Sequence, residues 1–463
     1  MAPGSPDPGG LVIVGGSDAG IMAGLWAHRT DPTLPITVLV RDEYPNFSIC
    51  GLPFYLSGET PRWEMLAHRT TSDLRDAGLD VRTGHEVTAI DPGGHTVEVT
   101  AGGRARRLAY DRLVIGTGAT PVRPPLEGVD EPGVHLLHTV DEARDLRRVL
   151  DGGARRAALV GAGYIGTELA DALTRRGMTV ELLEMAPEVL PTFAPGMGAH
   201  VRATLERHGV AVHTATRVER LERRGDGFRV VTDRGETEVD VVVVAVGVRP
   251  EVGLLARAGA TTGIRGAAVV DRAMRTGLAD VFAAGDCVHT HHQLLAEPTY
   301  LPLGTTAHKQ GRVAGINAAG GDATYAGSLG TQAVKVFDLV AARTGLDDRE
   351  AGAAGWRPRT VAITMDDHKA YYPGATPMHV QVTGDVATGR LLGAQIVGAH
   401  GAEVSKRIDI VAAAIHAEAT VDTLYDLDLS YTPPLSSPWD PVQVAAQEWV
   451  AATARTPMAA ASG

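Results

Sequence analysis

The chain has 463 residues, a length that predicts roughly two to four domains. Apolar residues make up 44% and charged residues 21%, which is ordinary globular usage and excludes extended disorder or a fibrous repeat. The net charge of −12, without a concentrated basic stretch, excludes nucleic acid as an expected partner. Since no apolar run approaches the roughly 20 residues of a membrane span and residues 1–10 lack the features of a signal peptide, we expect a cytoplasmic protein without membrane attachment.

Two segments of the chain share the same predicted order of elements. At 11–29 the apolar run LVIV meets clustered glycines and then a helical pattern, and the same order returns at 157–177. A strand, a glycine turn and a helix in that order are typical of a nucleotide-binding βαβ unit. Further strands are predicted at 36–40, 111–121, 179–184, 240–247 and 280–288.

The predicted fold class is α/β, with two Rossmann-like nucleotide-binding domains and a C-terminal α+β domain. The late strand at 280–288 belongs with the first unit, so the second unit is an insertion into the first domain. After residue 329 the pattern changes to longer alternating strands at 331–337, 360–365, 378–384 and 391–398, followed by an amphipathic helix near 403–416. The predicted segments are 1–121, 122–249, 250–328 and 329–463.

The second glycine loop has the G-x-G-x-x-G spacing at Gly161, Gly163 and Gly166. The first glycine allows the turn, the second lets a pyrophosphate approach the backbone, and the third lets helix and strand pack closely. Glu184 follows eighteen residues after Gly166, at the end of the next predicted strand. A carboxylate there accepts hydrogen bonds from a ribose 2′-hydroxyl and repels a 2′-phosphate, so NADH is favoured over NADPH.

The first glycine loop departs from that spacing. Its sequence is Gly15, Gly16, Ser17, Asp18, Ala19, Gly20. Arg41 stands where the ribose-binding acid is expected, and Asp42 is the nearest carboxylate. Either Asp42 or water would reach the ribose.

Four motifs together carry a family resemblance that runs from about residue 11 to 450. The motifs are VIVGGSDAG, VIGTGATP, TGLADVFAAGD, and VGAGYIGTELA with VVAVGVRPE. The chain resembles the flavin-dependent pyridine nucleotide-disulfide oxidoreductases, in the single-cysteine branch of coenzyme A-disulfide reductases, NADH oxidases and persulfide reductases. The resemblance implies an FAD-binding domain in two parts (1–121 and 250–328), an NAD(P)H-binding domain (122–249) and a C-terminal interface domain (329–463).

The resemblance also implies which residues hold the cofactors. Asp286 would accept a hydrogen bond from the ribityl chain, and the helix predicted at 301–315 would point its N-terminus at the flavin, where its dipole favours reduced flavin. The implied FAD residues are Gly15, Gly16, Ser17, Asp18, Ala19, Gly20, Arg41, Asp42, Thr117, Gly118, Gly285, Asp286, Thr305, Thr306 and Ala307. The implied NAD(P)H residues are Gly161, Gly163, Tyr164, Ile165, Gly166, Glu184 and Gly247.

Cys50 is the predicted redox residue, because YPNFSICGLPFY resembles the S-F-x-x-C-G box of the family. Asn46 and Ile49 depart from that box, and Pro45 stands where the two-cysteine branch carries its other cysteine. Cys50 would therefore cycle through a mixed disulfide, a persulfide or a sulfenic acid. A helix N-terminus and the flavin would lower its pKa. Cys287 is expected to be a packing residue.

Asp18 stands where the oxidases and peroxidases of this branch carry a histidine that assists peroxide reduction. An anionic group there would oppose a charged intermediate at the sulfur, which argues against oxidase or peroxidase activity. Two placements of Asp18 stay open at this point: its carboxylate either faces the sulfur or caps the following helix.

The C-terminal segments HKAYYPGATPMHV and LSYTPPLSSPWDPVQVAA resemble the interface domain of coenzyme A-disulfide reductases. The resemblance implies a homodimer in which Tyr431, and Tyr371 or Tyr372, reach the partner's redox cysteine and donate a proton to a leaving thiolate. The alternative is ordinary core or interface tyrosines.

Two further sets of residues are candidate ligand sites. Arg62, His68 and Arg69 follow the predicted cysteine helix and would either contact the phosphates of a coenzyme A-like substrate or form a solvated face. The histidines at 289, 291 and 292 have no Cys or carboxylate at ligand spacing, so no metal site is expected.

The resulting hypothesis is an FAD-dependent NAD(P)H:disulfide oxidoreductase that acts on a small disulfide or persulfide through Cys50. The alternatives are an NADH oxidase or peroxidase, a specialised flavin-thiol enzyme acting on a metalloid or a biosynthetic thiol intermediate, and a non-catalytic flavoprotein sensor or binding protein.

Overall fold

The computed structural model describes residues 9–454. Up to residue 121 the elements are β1 (Leu11–Val14), α1 (Asp18–Thr30), β2 (Ile36–Leu39), α2 (Leu52–Ser57), α3 (Thr71–Asp76), β3 (Asp80–Arg82), β4 (His85–Asp91), β5 (Thr96–Ala101), β6 (Arg104–Ala109), β7 (Arg112–Ile115) and β8 (Ala119–Pro121). From 122 to 250 they are β9 (Val134–His135), α4 (Val140–Asp151), β10 (Arg156–Val160), α5 (Tyr164–Arg175), β11 (Thr179–Leu183), α6 (Pro195–Arg207), β12 (Ala211–His213), β13 (Val218–Arg224), β14 (Gly227–Thr232), β15 (Gly235–Val239), β16 (Val241–Val244) and β17 (Val248–Pro250).

The remaining elements complete the first half and build the C-terminal part. They are α7 (Gly253–Arg257), β18 (Val281–Ala283), α8 (Gly304–Ala318), β19 (Gln332–Val336), β20 (Leu339–Gly345), α9 (Asp348–Ala353), β21 (Pro358–Asp366), β22 (Pro377–Asp385), β23 (Leu391–Ala399), α10 (Val404–His416), α11 (Val421–Tyr425) and α12 (Pro441–Ala454). Short 3-10 turns lie at Ile49–Gly51, Trp63–Leu66 and Ile264–Gly266.

The first parallel sheet has the order β18-β7-β1-β2-β3. β1 (LVIV) and β18 (VFA) are short apolar runs buried along their whole length, because helices cover both faces of a parallel sheet. β18 pairs with β7 although a second sheet is formed by the chain between them. This pairing confirms the interrupted arrangement that the sequence predicts.

The second parallel sheet has the order β12-β11-β10-β16-β9. Antiparallel three-stranded sheets, β4-β5-β6 and β13-β14-β15, accompany the two parallel sheets, and β8 pairs with β17 where the chain enters and leaves the second unit. The predicted fold class is confirmed. The domain limits at 121, 249 and 328 stay a prediction.

The C-terminal part is an antiparallel sheet of order β19-β20-β23-β22-β21 with α10 and α12 packed on it. The predicted strands and the predicted helix near 403–416 are present, whereas β20 was not predicted. That strand, LVAARTG, lies almost entirely buried although it contains Arg343, whose guanidinium pairs with Glu350 at 2.5 Å. Because the buried Arg343 interrupts its apolar residues, the apolar pattern of the sequence did not indicate this strand.

Within residues 9–454 no helix combines the length and the apolar content that crossing a bilayer requires.

Candidate active site

The first glycine loop joins β1 to α1 by backbone contacts that leave no room for side chains. Gly15 has a φ of 116°, and a Cβ there would lie 2.1 Å from the carbonyl oxygen of Gly116. A Cβ at Gly20 would lie 2.0 Å from the carbonyl oxygen of Gly15. The glycines therefore let α1 begin directly beyond the carboxyl ends of the strands, where an anionic group is stabilised.

Asp18 does not cap α1, which removes one of the two placements that the sequence left open; that its carboxylate faces the sulfur of Cys50 stays a prediction. Ser17 is the N-cap residue, its side chain makes no capping hydrogen bond, and Asp18 is the first helical residue. Asp18 Oδ1 lies 3.1 Å from His308 Nε2 of α8. The carboxylate thus faces the first turns of a second helix.

The N-terminus of α8 lies beside that of α1. Gly285 donates its N–H to Gln310 Oε1 of α8 at 2.9 Å, and a Cβ at Gly285 would lie 2.8 Å from the Cβ of Ala19. The predicted flavin contacts occupy the first turn of α8: Thr306 and Ala307 are buried and Thr305 is exposed.

Asp286 fits the expectation of a carboxyl that receives a hydroxyl group. Burial raises its pKa to about 7, and the charge of Asp18 adds to the rise. Gly118, with a φ of 71°, has open space where a Cβ would stand, whereas Thr117 donates its hydroxyl to Glu251 O at 2.6 Å. An enclosed carboxyl, a glycine loop at a helix N-terminus and an open backbone cradle suit a group that carries both phosphates and hydroxyls.

Arg41 and Asp42 follow the end of β2. Both side chains are exposed, and Arg41 Nε lies 3.5 Å from Asp42 Oδ1. The pair stands where the ribose-binding acid of the first unit is expected, so Asp42 is engaged by a neighbouring cation.

Cys50 lies in the 3-10 turn that leads directly into α2. The segment before it is tied to the first glycine loop, because Asn46 donates its N–H to Gly16 O at 2.7 Å. Cys50 is exposed, and Cys287 is the other free cysteine of the described residues. The predicted redox cysteine therefore stands at a helix start beside the first nucleotide loop.

The sequence predicts that the surroundings of Cys50 lower the pKa of its thiol. For the effect of the protein's own groups this prediction is wrong, because they raise that pKa. Although the residue reaches the surface, protein atoms surround enough of its thiol that desolvation raises the pKa, and the charges of Glu168, Asp18 and Asp286 raise it further. These carboxyl groups are contributed by three separate parts of the chain, and the residues near Cys50 in sequence gave no sign of them. Any group that favours the thiolate must outweigh the effect of desolvation and of these three carboxyl groups on the pKa of Cys50.

Asn46, which departs from the family box, occupies a backbone conformation that asparagine tolerates. Its φ is 53°, and it is buried. His68 donates its N–H to Asn46 O at 2.8 Å, and Arg69 Nη1 lies 3.4 Å from Asn46 Oδ1. Arg62 is exposed at the start of the 3-10 turn Trp63–Leu66. Of the predicted substrate residues, the structure thus attaches His68 and Arg69 to the segment that precedes Cys50.

The second glycine loop repeats the close contacts of the first. Gly161 has a φ of 102°, with a Cβ position 2.5 Å from Ala245 O, and a Cβ at Gly166 would lie 1.9 Å from Gly161 O. A Cβ at Gly163 would meet nothing within 4 Å. The middle glycine is therefore open for the approach of a ligand, as its predicted role requires.

Glu184 lies at the end of β11, as predicted, and is buried. Oε2 accepts the N–H of Ala162 in the glycine loop at 2.7 Å, and Oε1 accepts the N–H of Ala186 at 2.7 Å. Each oxygen keeps a second lone pair, so the carboxylate can hold the loop and still accept hydroxyl groups.

The other predicted nicotinamide residues surround this loop. Tyr164 begins α5 and its ring lies 6.2 Å from that of Phe193; burial raises the pKa of Tyr164 to about 12. Ile165 is half-buried in the first turn, and Gly247, with a φ of 109°, accepts the N–H of Val122 at 2.9 Å.

The predicted interface tyrosines form an exposed group on the C-terminal part. Tyr371 is 74% exposed and Tyr431 is 44% exposed, and their hydroxyl groups hydrogen-bond to each other, which raises the pKa of Tyr371. The ring of Tyr372 meets that of His368 edge-on at 5.9 Å. Leu435 and Trp439 are exposed nearby in sequence.

Two ionisable groups next to α2, Glu168 and Lys335, were not predicted from the sequence. Burial raises the pKa of Glu168 in α5 to about 8, although the positive charge of Lys335 opposes the rise. The buried Nζ of Lys335 lies 3.5 Å from Asp171 Oδ2 and 5.8 Å from the ring centre of Phe54. Glu168 stands inside the quoted motif VGAGYIGTELA and Lys335 inside the strand predicted at 331–337, but only the fold shows that they lie next to the cysteine helix.

Cys287 and the histidines perform structural roles in the chain. The buried thiol of Cys287 donates to Ala284 O at 3.4 Å, as a packing residue does. His289 pairs with the backbone of Val270, and His292 accepts the N–H of Leu294. Residues 9–454 contain no group of three or more Cys, His, Asp or Glu side chains arranged to hold a metal ion.

Family models and known proteins are similar to this chain over most of its length. The family model "Pyridine nucleotide-disulphide oxidoreductase" matches residues 10–311, and its "dimerisation domain" model matches residues 331–441. A curated relative from Pyrococcus furiosus, a CoA-dependent NAD(P)H sulfur oxidoreductase, is 33% identical over 94% of this chain and 98% of its own length.

Solved structures of two kinds of enzyme share the fold. An NAD-dependent persulfide reductase from A. fulgidus superposes with a TM-score of 0.92 and 38% identity, over 95% of this chain and 83% of that one. An engineered water-forming NADPH oxidase bound to NADPH has a TM-score of 0.91 and 28% identity, over 96% of this chain and 99% of that one.

Proposed function

The chain belongs to the pyridine nucleotide-disulphide oxidoreductase family, and from that membership we propose that it is a flavin enzyme that uses NAD(P)H to reduce a low-molecular-weight disulfide or persulfide through Cys50. The placement of the two thiols carries the proposal. Cys50 is accessible at the start of α2, whereas Cys287 is buried against the first sheet. Cys50 therefore has no thiol partner in its own chain and exchanges with an external sulfur.

The sulfur substrate is supported by the relatives. The Pyrococcus furiosus protein is a CoA-dependent sulfur oxidoreductase and the A. fulgidus protein a persulfide reductase. The water-forming oxidase has nearly the same fold, so the fold alone does not separate the two activities. The departure at Asp18 favours the sulfur substrate, because an anion beside the thiol opposes the chemistry that a histidine assists in the oxidases.

The flavin of the family is proposed to be FAD, held by the first glycine loop and by α8. When bound, it would take two electrons from the nicotinamide and deliver them to sulfur at Cys50. The N-terminus of α1 would bind the pyrophosphate, and Asp286 would accept a hydroxyl group. The first turn of α8 would stabilise negative charge through its N–H groups.

NADH is proposed as the preferred nicotinamide because Glu184 is an acid fixed at the end of β11. In the engineered oxidase bound to NADPH, the substitutions replace a glycine and, eighteen positions later, an aspartate, and they introduce two arginines. Gly166 and Glu184 are separated by the same eighteen positions. The acid that the engineering removed thus corresponds in spacing to Glu184.

The substrate side is proposed to be completed by a second copy of the chain. The match to the dimerisation model covers the part that carries Tyr371 and Tyr431, and these exposed phenols can donate protons to a departing thiolate across the interface. His68 and Arg69, attached beside the cysteine segment, would contact phosphate groups of a coenzyme A-like substrate together with Arg62.

The proposal is tested by steady-state NADH oxidation under anaerobic conditions with a panel of small disulfides and persulfides. Cys50→Ser should abolish turnover while the protein keeps its flavin spectrum. Cys287→Ser is the matched control, because it removes the buried thiol and leaves the accessible thiol of Cys50 intact. Full turnover by Cys50→Ser would contradict the proposal. Negligible turnover of the unaltered protein with every acceptor would favour the sensor alternative, and rapid oxygen consumption the oxidase alternative.

A further inference from the structure

One face of the C-terminal sheet packs against the second unit. Val397 of β23 lies opposite His379 of β22 and belongs to the same buried cluster as Leu159 of β10. Arg343 of β20 lies opposite Gln395 of β23. Because side chains two residues apart on a strand share a face, both lie on the face that packs against the second unit. Arg343 and Gln395 are buried there, so their polar groups require partners.

The partners lie in the chain that joins β11 to α6, residues 184–194, called here the β11–α6 segment. Nη1 of Arg343 donates to the carbonyl oxygen of Thr192. Oε1 of Gln395 accepts the N–H of Ala194 at 2.9 Å. Two neighbouring side chains of the C-terminal sheet thus bind the backbone of a segment that belongs to the second unit.

The β11–α6 segment in turn holds the second glycine loop. Leu190 donates its N–H to Ala162 O at 2.8 Å, and Glu184 accepts the N–H of Ala162. The hydroxyl of Thr192 donates to that of Tyr164, the first residue of α5, at 3.4 Å. The glycine loop and the start of α5 are therefore fixed by the segment that the C-terminal sheet binds.

Leu190 has a backbone conformation that does not persist without support. Its φ is 50° and its side chain is buried. The left-handed region is unfavourable for a bulky residue and is kept only where the surrounding structure imposes it. Ala162 binds Leu190 on one side, and the bonds of Arg343 and Gln395 hold the chain that follows it. Loss of the latter bonds lets Leu190 relax and withdraw its N–H from the glycine loop.

Helix α6 continues the contact with the same sheet. The ring of His200 stacks on that of His379, with centres 3.6 Å apart and planes 14° apart. At the other end of the helix, His208 stacks on Phe337 with centres 3.9 Å apart. Contacts near both ends hold α6 in one position, so the place of the β11–α6 segment depends on the sheet.

We propose that Arg343 and Gln395 of the C-terminal sheet are positioning residues for nucleotide binding at the second glycine loop. They hold the β11–α6 segment, and this segment fixes the backbone of Ala162 and the phenol of Tyr164. The inference rests on the nicotinamide function proposed above. It makes the C-terminal part a support of the nucleotide site within the same chain, in addition to its part in dimerisation.

The test measures the affinity of the flavin-loaded protein for ADP-ribose by titration calorimetry. This probe carries the pyrophosphate and both riboses, and it cannot reduce a flavin. Arg343→Met should raise its Kd by about 10- to 100-fold, the range expected when a buried hydrogen bond from a charged group is lost. Gln395→Met should act in the same direction with a smaller effect, because its hydrogen bond is neutral.

A second readout follows the β11–α6 segment itself. Hydrogen exchange of the peptide 185–194 should be faster in Arg343→Met, because Leu190 no longer keeps its N–H on Ala162 O. The variant leaves Glu350, the ion-pair partner of Arg343, with another bond: its Oε2 also accepts the N–H of Asp347 at 3.0 Å, and its side chain is 32% exposed. Weaker binding without faster exchange of this peptide overturns the inference.

Arg390→Met is the matched control, because it also removes an arginine–glutamate pair. Arg390 lies 3.4 Å from Glu418 and over the ring of Trp356, both in the C-terminal part. It should keep the Kd for ADP-ribose within about twofold. Unchanged affinity in Arg343→Met, or an equal loss in Arg390→Met, overturns the inference.

The binding measurement needs no sulfur acceptor, so its outcome is separate from the turnover test. A protein that turns over no disulfide but loses ADP-ribose affinity in Arg343→Met contradicts the proposed reductase activity and supports the positioning role. An unaltered protein that does not bind ADP-ribose contradicts both.

Discussion

Glu184 accepts the backbone N–H of Ala162 at 2.7 Å, so the acid at the end of β11 holds the second glycine loop. Met185, the next residue, is 72% exposed. The double variant Glu184→Ala/Met185→Arg should replace the repulsion of a 2′-phosphate by attraction and raise the ratio of NADPH to NADH kcat/KM, by roughly 10- to 100-fold. The ratio is measured by steady-state kinetics with each nucleotide.

Met185→Arg alone serves as the control for that double variant, because it adds the cation and keeps the carboxylate. It should move the ratio less than the double variant does. An unchanged ratio in the double variant would show that Glu184 serves the loop and not the ribose.

The contact between α1 and α8 predicts a strong glycine effect. A Cβ at Gly315 would lie 2.0 Å from the backbone oxygen of Ala23, so Gly315→Ala should destabilise the protein by about 1 to 3 kcal/mol and weaken flavin retention. The control is Gly196→Ala at the start of α6, where a Cβ meets nothing within 4 Å; it should be neutral or stabilising by about 0.5 kcal/mol. Denaturant midpoints and flavin release report the difference, and equal midpoints for the two variants would contradict the helix contact.

Glu168 predicts a pH dependence of stability. Its carboxyl keeps a proton in the folded chain up to a pKa of about 8, whereas in the unfolded chain the proton leaves near the ordinary value of 4.5. Between these values the folded state binds more protons, so its contribution to stability falls as pH rises. Glutamine cannot ionise, so Glu168→Gln should not show this fall in the free energy of unfolding. Its free energy of unfolding should rise relative to that of the unaltered protein between about pH 5 and pH 8, by on the order of 1 to 4 kcal/mol in total.

The measurement for Glu168→Gln is the denaturant midpoint across that pH range. Glu238→Gln, at an exposed position of β15, controls for the loss of a carboxylate. A constant difference between Glu168→Gln and the unaltered protein would contradict a raised pKa at this position.

The exposed apolar group near the tyrosines predicts the site of self-association. Leu435 is 66% exposed, and a charge placed there should weaken a dimer that buries it, so Leu435→Asp should shift the sedimentation profile toward the monomer. Ile264→Asp, at a residue 44% exposed in a 3-10 turn of another segment, is the control and should leave the profile unchanged. A stable dimer of Leu435→Asp would place the interface elsewhere.

Most of the fold could be predicted because its strongest signals are local. The run LVIV, the glycine loops and the acid at Glu184 each lie within one βαβ unit, and the spacing of such units is set by backbone geometry. β20 was missed since its buried Arg343 imitates a polar segment.

The candidate site was predicted less completely because its charges meet only in three dimensions. Glu168 stands in the sequence as an ordinary polar member of a helix, and nothing local shows that its charge acts on Cys50. The three carboxyl groups that raise the pKa of Cys50 are brought near the thiol by α1, α5 and the segment after β18, which are far apart in sequence.

The central claim is that Cys50 exchanges electrons with a small external sulfur compound. Its most direct test is mass spectrometry of the intact chain before and after anaerobic reduction of the flavin-loaded protein with one to two equivalents of NADH. The account predicts a releasable sulfur-containing adduct on Cys50 in the oxidised protein, lost on reduction and absent from Cys50→Ser. An oxidised protein that is unmodified, or that carries one added oxygen at Cys50 and is rapidly reoxidised by dioxygen, would contradict it.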